Sequence, residues 1–485
     1  SSYEGSANAM QRDLKQLADT TFDVVIVGGG IYGAALTREA ALRGLSAALV
    51  DKGDFCCATS ANSLKIIHGG LRYLQQADLI RVRESVRERR AMLRIAPHLI
   101  RPLPCLMPTA GVMKSKPAML AGLVANDILS ADRNRGVNAD RRLPCGKIIS
   151  RSTLESLLPG YDGPGTGAAL WTDAVADDTE RVVIEMVKSA VNEGACAANY
   201  AEMTGFLRDD ERVTGITVRD TLGDETFDVR AGLVINAAGP WSNAVLEKLG
   251  GSAGPLPYAL ALGMNAIFRR ELVPTYAAGL PCQEEGPDKG RLMFIVPWQN
   301  TTMAGTFYRH HTADANAMAP TDEDTRRLRN QINSALPPAQ LTPDDVTRIH
   351  AGLLPCKPDR PTESDPQLLR HYMLVDHTDR DGIEGLITTL GVKYTTARDV
   401  AERTISLAAR KLGRTIRPST SASVPLPAGE TDIRTVIRDE MAKTLSDVIY
   451  RRTGLGATGV PPEKTLQAYA ETMAQALDWD AGRVA

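Results

Sequence analysis

Apolar positions follow two regimes along the chain. In one, short runs are apolar without a break. Val24-Val25-Ile26-Val27, Ala47-Ala48-Leu49-Val50 and Leu233-Val234-Ile235 read as strands covered on both faces, as in a parallel sheet. Helical spacing follows such runs. Ala34 to Leu42 is one helix, and Thr179 to Asn192 is another, with Val182, Val183, Met186 and Val187 on its apolar stripe. Asp78 to Leu99 is a longer helix striped by Leu79, Val82, Val86 and Leu93. In the other regime, residues 256 to 312 are strand-rich. Met264 to Phe268, Leu292 to Val296 and Thr302 to Thr306, bounded by Pro257, Pro274 and Pro297, predict an antiparallel sheet. A hairpin is expected from Val213–Arg219 and Thr226–Val229 about Gly223. Trp171 to Val175 reads as a strand end, and residues 103 to 170 show no clear period. Thr321, with Asp324 three residues on, opens a helix that runs to Leu336. Ala397 to Leu412 is helical. The tail beyond Pro425 and Pro427 is helical too, most clearly from Asp432 to Thr453.

The first strand runs straight into G-x-G-x-x-G at Gly28, Gly30 and Gly33. Gly28 permits the tight turn, Gly30 lets backbone approach a pyrophosphate, and Gly33 lets helix and strand pack closely. Phosphate would sit on the helix N-terminus, where free N–H groups and the dipole favour negative charge. The second strand ends in Asp51, where an acid is needed to accept hydrogen bonds from ribose hydroxyls. Strand, turn, helix, strand and acid together predict a dinucleotide site. They do not choose between FAD and NAD.

With 485 residues, two or three domains are expected. A net charge of −2 gives no basic excess for nucleic acid. The seven cysteines include no C-x-x-C pair and no zinc spacing, which fits free thiols in a reducing, cytoplasmic compartment. No run of eighteen apolar residues is present. Ser1 to Ala9, before Met10, is read as an expression scar. Arg81, Arg83, Arg87, Arg89, Arg90 and Arg94 load the 78–99 helix. They fit either a solvated face with Glu84 and Glu88 as partners, or a peripheral surface for anionic lipid.

Four blocks together resemble one family. They are the glycine turn, the block Ala58-Thr59-Ser60 through His68-Gly69-Gly70-Leu71-Arg72-Tyr73-Leu74, the block Asn236-Ala237-Ala238-Gly239-Pro240-Trp241, and Gly391 through Thr396. Phe294 to Trp298 and Glu440 through Thr453 add support. The chain is similar, from about residue 20 to its end, to the FAD-dependent glycerol-3-phosphate dehydrogenases. The resemblance implies an α/β fold of the glutathione-reductase and amino-acid-oxidase kind. It would have a split Rossmann-like FAD-binding domain (20–105, 171–255, 371–418), an antiparallel-sheet substrate domain (106–170, 256–370) and a C-terminal helical segment (424–485). By match, Gly28, Gly30, Ile31, Tyr32, Gly33, Asp51 and Lys52 would hold the ADP half. Thr59, Ser60, His68, Gly69, Gly70 and Leu71 would run along the pyrophosphate and flavin. Ala237, Gly239, Trp241, Gly391, Val392 and Lys393 would close the site. The implied chemistry moves a hydride from an alcohol carbon to flavin N5 and a proton to a base. Electrons then leave to oxygen, a quinone or a protein. A homodimer through the C-terminal helices is a further expectation.

The substrate side departs from the family. Where the family has Lys-Gly-Ser-His, this chain has Leu262-Gly263-Met264-Asn265. Where it has Ser-Gly-Val-Arg-Pro-Leu, this chain has Ala351-Gly352-Leu353-Leu354-Pro355-Cys356, with Leu354 at the arginine's place. Gly-Thr-Thr-Asp is Gly305-Thr306-Phe307-Tyr308, and Tyr32 stands where asparagine is usual. A phosphate dianion wants two cations or a bidentate arginine. The expectation is therefore a C–OH substrate other than glycerol 3-phosphate. Three readings stay open beside it: a genuine glycerol-3-phosphate dehydrogenase with relocated phosphate ligands, such as Lys357 and Arg360; oxidation of a C–N bond; and a flavin-binding protein without catalysis. Arg72, Tyr73, Asn265, Tyr308 and Leu354 are the candidate substrate contacts. Arg72, Lys393, Tyr308, His310 and His311 are the candidate catalytic groups, with either histidine as the base or simply an exposed loop residue. His350 is read as a strand residue with its hydrogen bonds satisfied.

Overall fold

A computed structural model describes residues 9–74, 77–110, 114–283, 289–358, 365–429, 431–479 and 482, and for Arg72 the backbone alone. Residues 1–8 of the expected expression scar lie outside the described residues. The chain is α/β and forms two sheets. In the first, the strands Met373–Asp376, Leu386–Leu390, Thr226–Asn236, Thr21–Val27, Ala47–Val50 and Cys196–Ala198 lie in that order. The four pairings among 386–390, 226–236, 21–27, 47–50 and 196–198 are parallel. Alternate residues of Thr21–Val27 enter different cores. Val24 and Ile26 pack with helices Ile31–Leu42 and Thr179–Asn192, while Val25 and Val27 pack on the other face with Val245 and Leu246. That is why Val24 to Val27 is apolar throughout: each buried Val or Ile contributes roughly 1.5–3 kcal/mol, and all four positions are buried.

The second sheet has the order Val346–Cys356, Ala259–Phe268, Thr301–His311, Leu292–Trp298, Ala277–Pro281, Ile100–Pro108, Gly167–Ala176, Ile66–Ile67, with Lys147–Ser150 alongside Gly167–Ala176. Leu262, Met264, Ala266 and Phe268 go into a core with Leu328 and Ile332 of helix Asp322–Ala335. The alternate residues Ala261, Gly263 and Asn265 therefore face the other way, toward the loop at 58–63.

Several sequence readings change. The hairpin strand at 226 and the buried strand at 233 are one element, Thr226–Asn236, antiparallel to Arg212–Asp220 at its start and parallel to Thr21–Val27 at its end. The aperiodic stretch 103–170 contains most of Ile100–Pro108 and the start of Gly167–Ala176, paired to each other in the second sheet, so segments of that sheet begin before residue 106 and end after 170. The capping box is present: Thr321 and Asp324 exchange hydrogen bonds at the start of Asp322–Ala335. The tail is not one helix from 432 to 453. Ile433–Asp439 stops where the carboxylate of Glu440, fully buried, takes two hydrogen bonds from Arg181 at 2.6 Å each, and Arg452 reaches Asp54. Satisfying buried charge outweighs continuing the helix.

The basic helix is Leu79–Ile95, with Asp78 as N-cap. Its arginines find acids of this chain: Arg83 and Arg90 pair with Asp132, Arg87 with Asp399, and Arg89 with Asp173. Glu84 and Glu88 pair with Arg403 and Arg398 of another helix, not with their own. Little of this charge remains for a lipid surface. Among the described residues, no helix is long and apolar enough to cross a membrane.

Candidate cofactor and substrate site

The strands Thr21–Val27, Ala47–Val50 and Thr226–Asn236 end level, with Val27 beside both Val50 and Asn236. A cavity opens at these carboxyl ends, where ligands of open parallel sheets bind. It is lined by Gly28, Gly30, Ile31, Tyr32, Asp51, Lys52, Thr59, Ser60, Ala237, Gly239, Trp241, Gly391, Val392 and Lys393. Four separate chain segments thus meet around one cleft.

The glycines are dictated by backbone contact. A Cβ on Gly33 would lie 1.7 Å from the Gly28 carbonyl oxygen, and Gly28 has φ +107 with the Ala237 carbonyl against it. Helix Ile31–Leu42 begins at Gly30 without a capping side chain there. Ser60 Oγ accepts from the Ile31 N–H at 3.0 Å. Asp51 accepts from the N–H groups of Gly29 at 2.5 Å and Gly53 at 2.8 Å. Burial pushes its carboxyl up to about 6, those two donors opposing. A turn without Cβ atoms, an open helix N-terminus and a carboxylate at the second strand fit a dinucleotide's pyrophosphate and ribose.

Tyr32 fastens the 391–393 turn to the glycine turn. Its ring lies under Gly391, where a Cβ would fall 1.8 Å from it, and its hydroxyl donates to the Lys393 carbonyl at 2.8 Å. A short asparagine could not make the same span. Thr59 donates to the Leu353 carbonyl at 2.9 Å and sits against Gly352, so the 58–63 loop is pinned to the second sheet.

Gly33, His68, Gly69, Gly70 and Leu71 do not line the cavity; they brace it. Asp173 accepts from Gly69 N–H at 2.6 Å and from Trp171 Nε1 at 2.9 Å, and it pairs with Arg89. His68 stacks edge-on to Tyr73 at 5.9 Å. Desolvation, with Lys393, Arg89 and Arg81 adding to it and Asp173 opposing, pushes the imidazole down to about 4.

Among the substrate and catalytic candidates, Leu354 and Lys393 line the cavity, while Asn265, Tyr73, Tyr308, His310 and His311 do not. The side chain of Arg72 and the whole of Arg360 lie outside the described residues; Lys357 is exposed. Leu354 and Tyr308 both pack on Gly263, where a Cβ would be 2.6 Å from Leu354 and 3.3 Å from Tyr308. Leu262 points into the core on the opposite face. Asn265 accepts from Thr306 at 2.8 Å. Tyr73 lies between two cations, Arg81 at 3.9 Å and Lys393 Nζ at 4.0 Å from the ring centroid. Partial burial, then Arg81, pushes the Lys393 ammonium down to about 7, with Glu84 and Asp78 opposing.

His310 and His311 are strand residues, not a loop. His311 Nε2 donates to the Asp314 carbonyl at 3.0 Å, which places that ring on the turn after the strand. His350 is buried with neither ring nitrogen in a hydrogen bond, contrary to the expectation of satisfied partners. Burial, Lys65 and Arg348 hold it well below the usual imidazole range, so it stays neutral. The sequence reading missed Asp173 and Asn316, the second of which lines the cavity. Asp173 was detectable as an acid inside an apolar strand; Asn316 carried no local signal.

A family model described as FAD dependent oxidoreductase matches residues 23–394. A glycerol-3-phosphate dehydrogenase of Synechocystis sp. is 31% identical over 428 residues, covering 86% of this chain and 75% of that protein. An alpha-glycerophosphate oxidase of Streptococcus pneumoniae is 32% identical over 73% of this chain, which spans only 57% of that oxidase. The solved glycerol-3-phosphate dehydrogenase from Bacillus halodurans, complexed with FAD, shares the fold with a TM-score of 0.76 at 22% identity, over 99% of this chain and 95% of that one. The chain belongs to the FAD-dependent oxidoreductases of the glycerol-3-phosphate dehydrogenase and oxidase family.

Proposed function

We propose that this FAD-dependent oxidoreductase oxidises the C–OH group of a small molecule that carries no phosphate dianion. The observation that carries the reading is the apolar side chain of Leu354, packed on Gly263 and lining the cavity. Leu354 lines the cavity at the position where the family presents an arginine. An arginine–phosphate hydrogen bond contributes roughly 1.5–3 kcal/mol, and an apolar side chain there also makes a dianion shed water without recompense.

Bound FAD supplies the two-electron acceptor for the substrate C–H bond. The chain's residues hold it and handle the proton. Gly28, Gly30, Ile31 and Ser60 take the pyrophosphate, and Asp51 the ribose. Thr59 and Lys393 stand along the ring. Lys393 is the group suited to take the alcohol proton. Burial and Arg81 bring its ammonium down to about 7, and a base works best when its pKa lies near the working pH. The Tyr73 ring holds its ammonium end by a cation–π contact, and the neighbouring Arg81 disfavours its charged form. Electrons leave to oxygen, a quinone or a protein.

The test is anaerobic bleaching of the bound flavin by glycerol 3-phosphate and by a panel of uncharged alcohols, polyols and amines. Bleaching by uncharged alcohols, with glycerol 3-phosphate at least tenfold slower, supports the reading. Fast bleaching by glycerol 3-phosphate would overturn it and point to Lys393 and Arg81 as relocated phosphate ligands. Bleaching by amines alone would replace alcohol oxidation with C–N oxidation.

A further inference from the structure

Three residues from three segments meet at the rim of the cofactor cavity, near Asp51. Lys52 follows the strand Ala47–Val50. Trp241 ends the turn after Thr226–Asn236. Asn316 sits in the turn Ala315–Ala317, after the strand Thr301–His311 of the second sheet. All three line the cavity; Lys52 and Asn316 are exposed, and Trp241 is half-buried. Asn316 Oδ1 accepts from Lys52 Nζ at 2.7 Å and from Trp241 Nε1 at 2.7 Å, and the Lys52 ammonium lies 4.4 Å from the centre of the indole ring. Each member thus touches the other two.

The turn that presents Asn316 is itself set. The Asn316 N–H donates to Asp314 Oδ1 at 2.7 Å, and the Asp314 carbonyl accepts from His311. A residue of the turn after Thr301–His311 is therefore held over the end of the cavity next to Asp51 and Lys52. We infer that Asn316, Lys52 and Trp241 form a gate on that cavity, with Asn316 as the bolt that must be withdrawn for FAD to enter or leave. Hydrogen bonds between solvent-facing groups are individually weak, so the gate opens without loss of the fold. Its closing joins the two sheets across the cofactor.

The gate is tested by FAD exchange. Release is followed as the rise of flavin fluorescence after dilution of the holoenzyme, and Kd is measured by equilibrium dialysis, which together give the uptake rate. In Asn316→Leu, which keeps the size but removes the acceptor, release and uptake should both become about tenfold faster, the factor for two weak net hydrogen bonds lost together. Kd should move less than about threefold. Asn316→Asp keeps the acceptor for both donors and should exchange FAD at the parent rate. Unchanged rates in Asn316→Leu would overturn the inference. So would faster release alone, with Kd weakened to match, because that marks an ordinary contact to the cofactor and not a gate. The inference does not depend on which substrate the enzyme oxidises, and the bleaching experiment leaves it untouched.

Discussion

Around the strand Thr21–Val27 the binding surface leans on backbone: a helix terminus and turns whose glycines leave no room for a Cβ, with Tyr32, Asp51 and Ser60 set among them. Across the cavity, the second sheet contributes side chains of the strand Val346–Cys356, Leu353, Leu354 and Pro355. The first surface allows almost no substitution, because Gly28, Gly33 and Gly391 each abut another atom of the fold within 3 Å of any added Cβ. The second can change with the strands undisturbed. Leu354 pairs with Ala261 within Val346–Cys356 through backbone, so a different side chain at that position leaves the pairing in place. A fold can therefore keep its cofactor while its substrate drifts.

The largest effect should come from breaking the backbone surface. Gly33→Val forces a Cβ into the Gly28 carbonyl, and the purified protein should carry no FAD, as read by its absorbance spectrum. Next comes the proton acceptor. Lys393→Met should slow anaerobic flavin reduction roughly 10²–10⁴-fold, the usual range for loss of general acid–base catalysis. In the parent enzyme the same rate should rise as pH passes about 7, because the lysine becomes uncharged on the alkaline side, and this rise should vanish in the variant.

A smaller change should sharpen the other side of the comparison. Leu354→Arg restores a bidentate cation to the wall and should speed reduction by glycerol 3-phosphate by about 10–100-fold, the equivalent of one charge-assisted hydrogen bond. The smallest effect concerns Asp51. Its carboxyl, raised to about 6 by burial, accepts from ribose more strongly when ionised. FAD affinity should therefore fall severalfold as pH drops from 7 to 5 and level off above 7, and Asp51→Asn should flatten that profile in a titration of flavin fluorescence.

How much of this was legible follows from the same contrast. The glycine turn, the strand that ends in Asp51 and the helix Thr179–Asn192 could be read because their requirements are local. Thr226–Asn236 was read as two strands since its partner changes midway, from Arg212–Asp220 to Thr21–Val27, and only tertiary pairing shows that. The break at Glu440 depends on Arg181, 259 residues away. The substrate wall was legible as a set of exchanges, but not by direction. Leu262 and Asn265 sit on opposite faces of one strand, so of those two exchanges only Asn265 lies on the face toward the 58–63 loop. His311 looked like a candidate base until its ring was found on the Asp314 carbonyl.

The proposed dependence of substrate choice on Leu354 is tested by one ratio: the anaerobic flavin reduction rate with an uncharged secondary alcohol over that with glycerol 3-phosphate, in the parent and in Leu354→Arg. An apolar wall predicts a ratio above about ten in the parent and a fall toward or below one in the variant. A parent ratio already below one, left unchanged by the arginine, would contradict it.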